Sequence, residues 1–198
     1  MSTVIKNEYN DYDIDVAIVF EKDKIPEGTT SVKNIVVEAL RRKCTRFKVP
    51  PCAKTNCVRI EYEDGYHIDF AIYRRFKDTY DNYHYEHCGS QWRSRDPKGI
   101  TSWFNQENKS KDYYLRELVR LMKMFSKSRE GWTMPGGLVQ SVLANENYQE
   151  YTRIDERFYH TLKAIKNRLS WNKEVYNPID PTQTLKLVQG DDIKINNL

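Results

Sequence analysis

From Ile14 to Phe20 the chain sets Ile14, Val16, Ile18 and Phe20 at every second position, so the pattern predicts a β-strand. A polar turn over 23–30, holding Pro26 and Gly28, separates it from a helical period. Ser31 reads as the N-cap, and Val32, Ile35, Val36, Ala39, Leu40 and Phe47 place an amphipathic helix over 32–47, stopped by Pro50 and Pro51. Val58, Ile60 and Tyr62, then Asp64-Gly65, then Ile68, Phe70 and Ile72 spell a hairpin around a tight turn. Residues 74–110 are polar and aromatic and follow neither period. Over 111–128, Leu115, Leu118, Val119, Met122 and Phe125 form one helical stripe. Gly136-Gly137 introduces a short helix over 138–145. Phe158, Leu162, Ile165 and Leu169 give another over 155–169, and the polar tail from about 189 reads as frayed.

The order is a mixed α/β front half followed by a mostly helical back half, with no internal repeat. Composition agrees with a folded chain: 39% of the 198 residues are apolar and fourteen are tyrosine, too many for a disordered segment. No apolar run reaches membrane-spanning length and no signal-peptide pattern opens the chain, so the expected compartment is the cytoplasm, without membrane contact. A net charge of +4 is too mild to name a partner by itself. Cys44, Cys52, Cys57 and Cys88 form neither a CxxC pair nor a disulfide framework, and reduced thiols are expected. His84, His87 and Cys88 lack a fourth ligand at structural spacing; they read as a polar loop, with no zinc expected.

The chemistry concentrates in carboxylates. Asp13 and Asp15 stand two apart on one strand and therefore share a face, opposite Ile14 and Val16. Asp69 repeats the arrangement, opposite Ile68, Phe70 and Ile72. If the two strands neighbour one another, three carboxylates converge. Like charges so placed repel, and a hard divalent cation offsets the repulsion. Three carboxylates suffice for two Mg²⁺ ions about 4 Å apart, an arrangement that suits nucleotide transfer to a hydroxyl. A lone DxD is common on solvated strand ends; a DxD strand, a helix and a hairpin with one further Asp is a narrower pattern. On the later helix Arg116, Arg120, Lys123 and Lys127 fall at i, i+4, i+7 and i+11, a basic edge suited to phosphate oxygens.

With these residues in place the sequence resembles the DNA polymerase β-like nucleotidyltransferase superfamily. More narrowly it resembles the CD-NTases, bacterial relatives of cyclic GMP-AMP synthase and oligoadenylate synthetase. The resemblance is carried by Thr3-Val4-Ile5 through Asp11-Tyr12-Asp13-Ile14-Asp15-Val16, by Ile68-Asp69-Phe70, by Arg95-Asp96-Pro97-Lys98-Gly99 and by Trp103-Phe104. It continues in Leu118-Val119-Arg120-Leu121-Met122-Lys123, Pro135-Gly136-Gly137-Leu138 and Asn177-Pro178-Ile179-Asp180-Pro181. It implies an α+β, bilobed fold, a mixed sheet with flanking helices plus a helical lobe, divided as 1–108 and 109–198 and packed as one unit. It also implies Asp13, Asp15 and Asp69 as metal ligands and catalytic groups, with Mg²⁺ or Mn²⁺. Thr3, Arg120, Lys123, Lys127, Gly136 and Gly137 are the implied substrate contacts, Lys123 on the donor triphosphate.

The implied activity is synthesis of a cyclic di- or oligonucleotide from nucleoside triphosphates in antiphage signalling. The implied protein is a monomer that needs no nucleic acid and reaches its effector only through the product. Two alternatives share the carboxylates: nucleotide transfer to a protein, RNA or small molecule, and a nucleotide- or RNA-binding module without turnover. Two departures bear on the choice. The family's Gly-Ser phosphate-cradling turn and the helix before it are not in these 198 residues. Glycines and Leu138 replace the Ser and the base-stacking aromatic near Pro135; Tyr113, Tyr148 and Tyr151 are the candidate replacements.

Overall fold

The computed structural model describes residues 13–128, 130–186 and 194–195. Thr3 and its neighbours, the side chain of Asp13 and most of the tail beyond 186 lie outside the described residues. The chain divides into two compact units, the described residues through Lys98 and those from Gly99 onward.

Among its described residues the first unit is one sheet with one α-helix on it. Its strands are β1 (Asp13–Glu21), β2 (Phe47–Ala53), β3 (Val58–Tyr62), β4 (His67–Lys77), β5 (Tyr83–Cys88) and β6 (Trp92–Ser94), and its helix is α1 (Thr29–Lys43). The long strand β4 is the axis. Along one side it pairs parallel with β1; along the other it pairs antiparallel first with β3 and then with β5. β2 extends β3 and β6 extends β5. The sheet is therefore mixed, as expected. The hairpin turn closes at Asp64-Gly65, where Gly65 takes φ 81°, a left-handed conformation that glycine adopts without steric penalty.

Helix α1 covers the face bearing Ile18, Phe20, Phe70 and Ile72, where Val32, Val36 and Val37 meet Val58 and Cys88. The sequence reading of α1 needs correction. The helix starts at Thr29 with Gly28, not Ser31, at the N-cap, and it ends at Lys43 rather than 47. Ile35 is 47% exposed; the buried positions are Val32, Lys33, Val36 and Val37. Lys33 interrupts an apolar stripe, which is why periodicity misplaced the face. Its amine donates to the carbonyls of Thr55 (2.6 Å) and Gly89 (2.8 Å), tying the helix to two turns of the sheet. Phe47 opens β2, and Pro50 and Pro51 lie inside that strand instead of stopping a helix. β2 is the sheet's outer strand, and its pairing with β3 slips between Val49 and Cys52, where the prolines donate nothing. Ile14, on the face opposite Asp13 and Asp15, is 39% exposed rather than buried in the core. His84, His87 and Cys88, read as a loop, belong to β5.

The second unit holds α2 (Gly99–Ser110), α3 (Tyr114–Lys127), α4 (Gly137–Glu146), α5 (Ile154–Trp171) and the small hairpin β7 (Tyr176–Asn177)–β8 (Asp180–Thr184). Its core gathers Phe104, Leu115, Leu118, Val119, Met122, Val142, Leu143, Ile165 and Leu169, so the stripes read on α3 and α5 are its walls. Between α2 and α3 the chain turns through Asp112 (φ 48°) and Tyr113 (φ 68°). Buried Asn108 holds that turn: its carbonyl accepts from Tyr113 N (2.7 Å), and its side-chain oxygen accepts from Arg116 N (2.8 Å), one of the open donors of α3's first turn.

Among the described residues no helix is long and apolar enough to cross a membrane. All four cysteines are free thiols.

Candidate functional site

The register of three strands builds the first half of the site. Asp15 on β1 stands opposite Asp69 on β4, and Asp69 stands opposite Arg59 on β3. In-register residues of neighbouring strands project to the same face, so these three form a row across the sheet, on the side away from α1. Asp13 opens β1 opposite His67.

Asp69 is held by a two-pronged contact: Arg59 Nε donates to Oδ1 at 2.7 Å and Nη2 to Oδ2 at 2.6 Å. The guanidinium keeps the Asp69 carboxyl below its ordinary range against the opposing effect of burial. Burial, and then the nearby Asp69 charge, push the Cys57 thiol up to about 11, so at neutral pH it is a neutral thiol. Further along the same face Tyr73 packs on His87, ring centroids 5.1 Å apart. His87 donates from Nε2 to the carbonyl of Asn56 at 2.9 Å, and burial lowers its pKa, favouring the neutral ring. Burial raises the pKa of Tyr73, and the Asp15 carboxylate adds to that rise.

The donor set suits a hard cation. Asp15 and Asp69 offer carboxylate oxygens on adjacent strands, and Arg59 uses one lone-pair direction on each Asp69 oxygen, leaving the others for ligation. Among the described residues no three His, Cys, Asp or Glu side chains gather as a metal-binding group. The third carboxylate of the expected set, that of Asp13, is outside the described side chains. The other cluster noted in the sequence is dispersed: His84 pairs with Asp78 at 2.9 Å, His87 with Asn56, and Cys88 with the Thr29 carbonyl at 3.5 Å.

In the second unit Lys123 and Gly137 come together. A Cβ built on Gly137 would lie 2.9 Å from Lys123 Cε and 3.0 Å from Nζ. Gly137 is the first residue of α4, and Gly136, at the N-cap, supplies no side chain to cap it. The lysine thus lies across a helix N-terminus, where backbone N–H groups already favour negative charge. Burial lowers the Lys123 pKa, and the neighbouring Lys127 charge lowers it further. Gln140 fixes the bend before α4, its side-chain amide donating to the Pro135 carbonyl at 2.8 Å. Arg120 and Lys127 are exposed on α3. Arg116 is turned to structural use, bonded to Asn105 at 2.9 Å and lying over Phe104. The basic edge read from the sequence therefore shortens to Arg120, Lys123 and Lys127.

Residues 1–73 match the family described as the nucleotidyltransferase domain of cyclic GMP-AMP synthase DncV-like proteins. A cyclic GMP-AMP synthase of Escherichia albertii is 25% identical over 199 residues, covering 94% of this chain and 44% of that protein. A c-di-GMP synthase of Roseivirga ehrenbergii is 24% identical, covering 88% of this chain and 54% of its own. Among solved structures, Vibrio cholerae DncV in complex with a linear intermediate matches with TM-score 0.70 at 18% identity, over 98% of this chain and 58% of that one. Bradyrhizobium diazoefficiens CdnG in complex with GTP matches with TM-score 0.68 at 13% identity, over 94% and 67%. The chain spans about half the length of the curated relatives it matches.

Proposed function

We propose that this chain, which is a member of the CD-NTase family with the polymerase β-like nucleotidyltransferase fold, is the catalytic part of a synthase that joins nucleoside triphosphates into a cyclic di- or oligonucleotide. The observation that carries the reading is the register of β1 and β4. Parallel pairing sets Asp15 beside Asp69 on the face that α1 leaves open, and a bidentate arginine holds the second carboxylate ionised. The match over residues 1–73 takes in β1 and the part of β4 that carries Asp69.

Asp15 and Asp69, with Asp13 at the start of β1, would hold the divalent cation, Mg²⁺ or Mn²⁺. Bound there, such an ion supplies Lewis-acid activation of the attacking hydroxyl and charge stabilisation for the departing pyrophosphate. The protein's own groups do the rest. Asp69, kept anionic and fixed in rotation by Arg59, is aligned to accept a hydrogen bond from the acceptor hydroxyl and to take its proton as the new phosphoester forms. Lys123, on the uncapped N-terminus of α4, meets the donor's phosphates, with Arg120 and Lys127 beside it on α3 adding charge. Thr3, Gly136 and Gly137 complete the proposed substrate contacts. The substrates are nucleoside triphosphates, the setting is cytoplasmic antiphage signalling, and the product alone links the enzyme to its effector.

The test is direct. The purified protein is incubated with labelled ATP, GTP, CTP and UTP under Mg²⁺ or Mn²⁺, and products are resolved by mass spectrometry. A cyclic product lost in Asp15→Asn and Asp69→Asn supports the reading. A nucleotide attached to an added acceptor would redirect it to transfer chemistry, and triphosphate binding without pyrophosphate release would make the chain a binding module.

A further inference from the structure

The sheet face opposite α1 does not end at the row of Asp15, Asp69 and Arg59. Alternation along β4 carries it on through Tyr73, Arg75 and Lys77. Register extends it sideways: Tyr73 pairs with His87 and Lys77 with Tyr83 on β5, and His87 pairs with Arg93 on β6. Arg95 N donates to the Tyr85 carbonyl at 3.0 Å, so the ladder runs one step past Ser94 and sets Arg95 on the same side as Arg93. Burial governs the pKa shifts of Tyr73 and His87, and the Arg95 charge acts on both, in keeping with that placement. Tyr73 is four residues beyond Asp69, about 13 Å along the strand, so this part of the face lies apart from the carboxylates.

Two cations of this stretch are already paired: Arg75 donates to Glu21 at 2.6 Å and Lys77 to Asp81 at 2.7 Å. Arg93 and Arg95 are exposed, and among the described residues neither side chain has a hydrogen bond or an ion pair. The neighbouring Asp96 carboxylate accepts instead from the Lys98 N–H at 2.8 Å. The strand beneath is anchored from its other side, where Trp92 donates to the Glu27 carbonyl at 2.7 Å and Arg74 lies over the Trp92 ring at 4.3 Å. The two arginines thus project from a fixed strand, their Cα atoms about 6.6 Å apart. Aromatic rings share the face. Arg75 and Lys77 lie over the Tyr83 ring at 4.5 and 5.1 Å, which steadies it and leaves it 46% exposed, and half-buried Tyr85 stands beside it, ring centroids 6.4 Å apart.

Two exposed guanidinium groups at successive positions on one side of a strand match anionic groups spaced along a chain. An acidic peptide supplies the charge but no flat group for the tyrosines. A nucleic-acid duplex supplies phosphates but keeps its base faces stacked inside. A single strand presents both, phosphates to the arginines and unstacked bases to the rings, and each phosphate it places there releases a counterion. We propose that this stretch of the sheet, centred on Arg93, Arg95 and Tyr83, is a docking surface for single-stranded nucleic acid.

Fluorescence anisotropy of a short labelled RNA of mixed sequence, titrated with the whole chain at low salt, tests this. Nucleoside triphosphates and divalent cations are left out, so no turnover is involved and failure of the synthase reading would leave the result standing. The expected result is binding that weakens steeply with salt and is at least tenfold tighter than for the same sequence as a duplex. Arg93→Ala and Arg95→Ala should each weaken it threefold or more and lower the salt slope by about 0.7. Tyr83→Ala should weaken it to a similar degree, while Tyr83→Phe, which keeps the ring, retains the affinity. Lys166→Ala removes one exposed charge from α5 and should change the affinity less than twofold. The substituted side chains are all exposed, so each variant should keep the wild-type Tm. Four outcomes would overturn the proposal: no change in anisotropy at low salt, a duplex that binds as tightly as the single strand, poly-glutamate that competes as well as unlabelled RNA, or Arg93→Ala and Arg95→Ala effects no larger than that of Lys166→Ala.

Discussion

In the proposed site Arg59 acts on chemistry that another side chain performs. Its positive charge beside Asp69 opposes a cation in the same place, while its two hydrogen bonds fix the carboxylate's rotation. The two effects have opposite signs, so they separate in experiment. Arg59→Ala is expected to leave Mn²⁺ affinity, followed by electron paramagnetic resonance, unchanged or tighter, while kcat falls by about tenfold or more, within the range typical of a mispositioned catalytic group. Arg59→Lys should recover part of the rate. The pH profile gives a second readout. In its proposed role Asp69 must be ionised to accept a proton, and Arg59 holds its pKa below the ordinary value. Activity should therefore persist at acidic pH in the wild type, and its acid limb should move to higher pH in Arg59→Ala. Gly137 acts by what it lacks. An alanine there would meet the end of the Lys123 side chain, a flexible group that can swing aside. Gly137→Ala is therefore expected to raise KM for the triphosphate several-fold with little change in Tm. A large loss of Tm would show that the glycine serves the backbone instead. The Lys123 pKa, lowered by burial and by Lys127, predicts that triphosphate affinity declines at a lower pH than an ordinary lysine would give. Lys127→Ala should shift that decline upward.

Single residues also decide how the elements hold, and Lys33 is the clearest case. It replaces an apolar residue on the buried face of α1 and joins the helix to the carbonyls of Thr55 and Gly89. Lys33→Met keeps the volume and removes both donors. The expected loss is about 1–3 kcal/mol for carbonyls left short of partners, read by urea denaturation; an unchanged midpoint would mean that water replaces the amine. The same residue explains part of what the sequence concealed, because a buried lysine erases the period by which α1's inner face would be recognised. Other elements were hidden for related reasons. Beyond Ile72, β4 buries both Tyr73 and Arg74, so no alternation survives, and Arg74 is accommodated through Glu86, Glu27 and the Trp92 ring. β5 reads Tyr-His-Tyr-Glu-His-Cys, a polar string that becomes a strand through its pairing with β4. Pro50 and Pro51 signalled a helix stop because their ordinary meaning is local, whereas an outer strand tolerates them. By contrast, α3, α4, α5 and the Asp64-Gly65 hairpin followed from periodicity and turn chemistry alone. Arg59 was within reach too: it and Asp69 each stand five residues from Asp64, so the hairpin itself pairs them.

At the scale of the molecule, the residues of the proposed chemistry belong to two units, the carboxylates to the first and the Lys123 amine to the second. That division predicts a split in the kinetics. Asp15→Asn should abolish turnover and weaken Mn²⁺ binding while the triphosphate still binds. Lys123→Ala should retain Mn²⁺ binding and raise KM. If either substitution lowered both affinities together, the division of labour would be wrong. The hairpin between β3 and β4 has a further consequence for how this chain can be altered. Sliding the pairing by one residue would carry Arg59 to the face covered by α1 and strip Asp69 of its partner. Extra residues at Asp64-Gly65 can therefore be accommodated only as a longer loop reaching outward, with the ladder beneath unchanged. Residues 63–65 are exposed, which makes the tip of this hairpin the place to graft a reporter peptide or an affinity handle without disturbing the row of side chains that begins at Asp15.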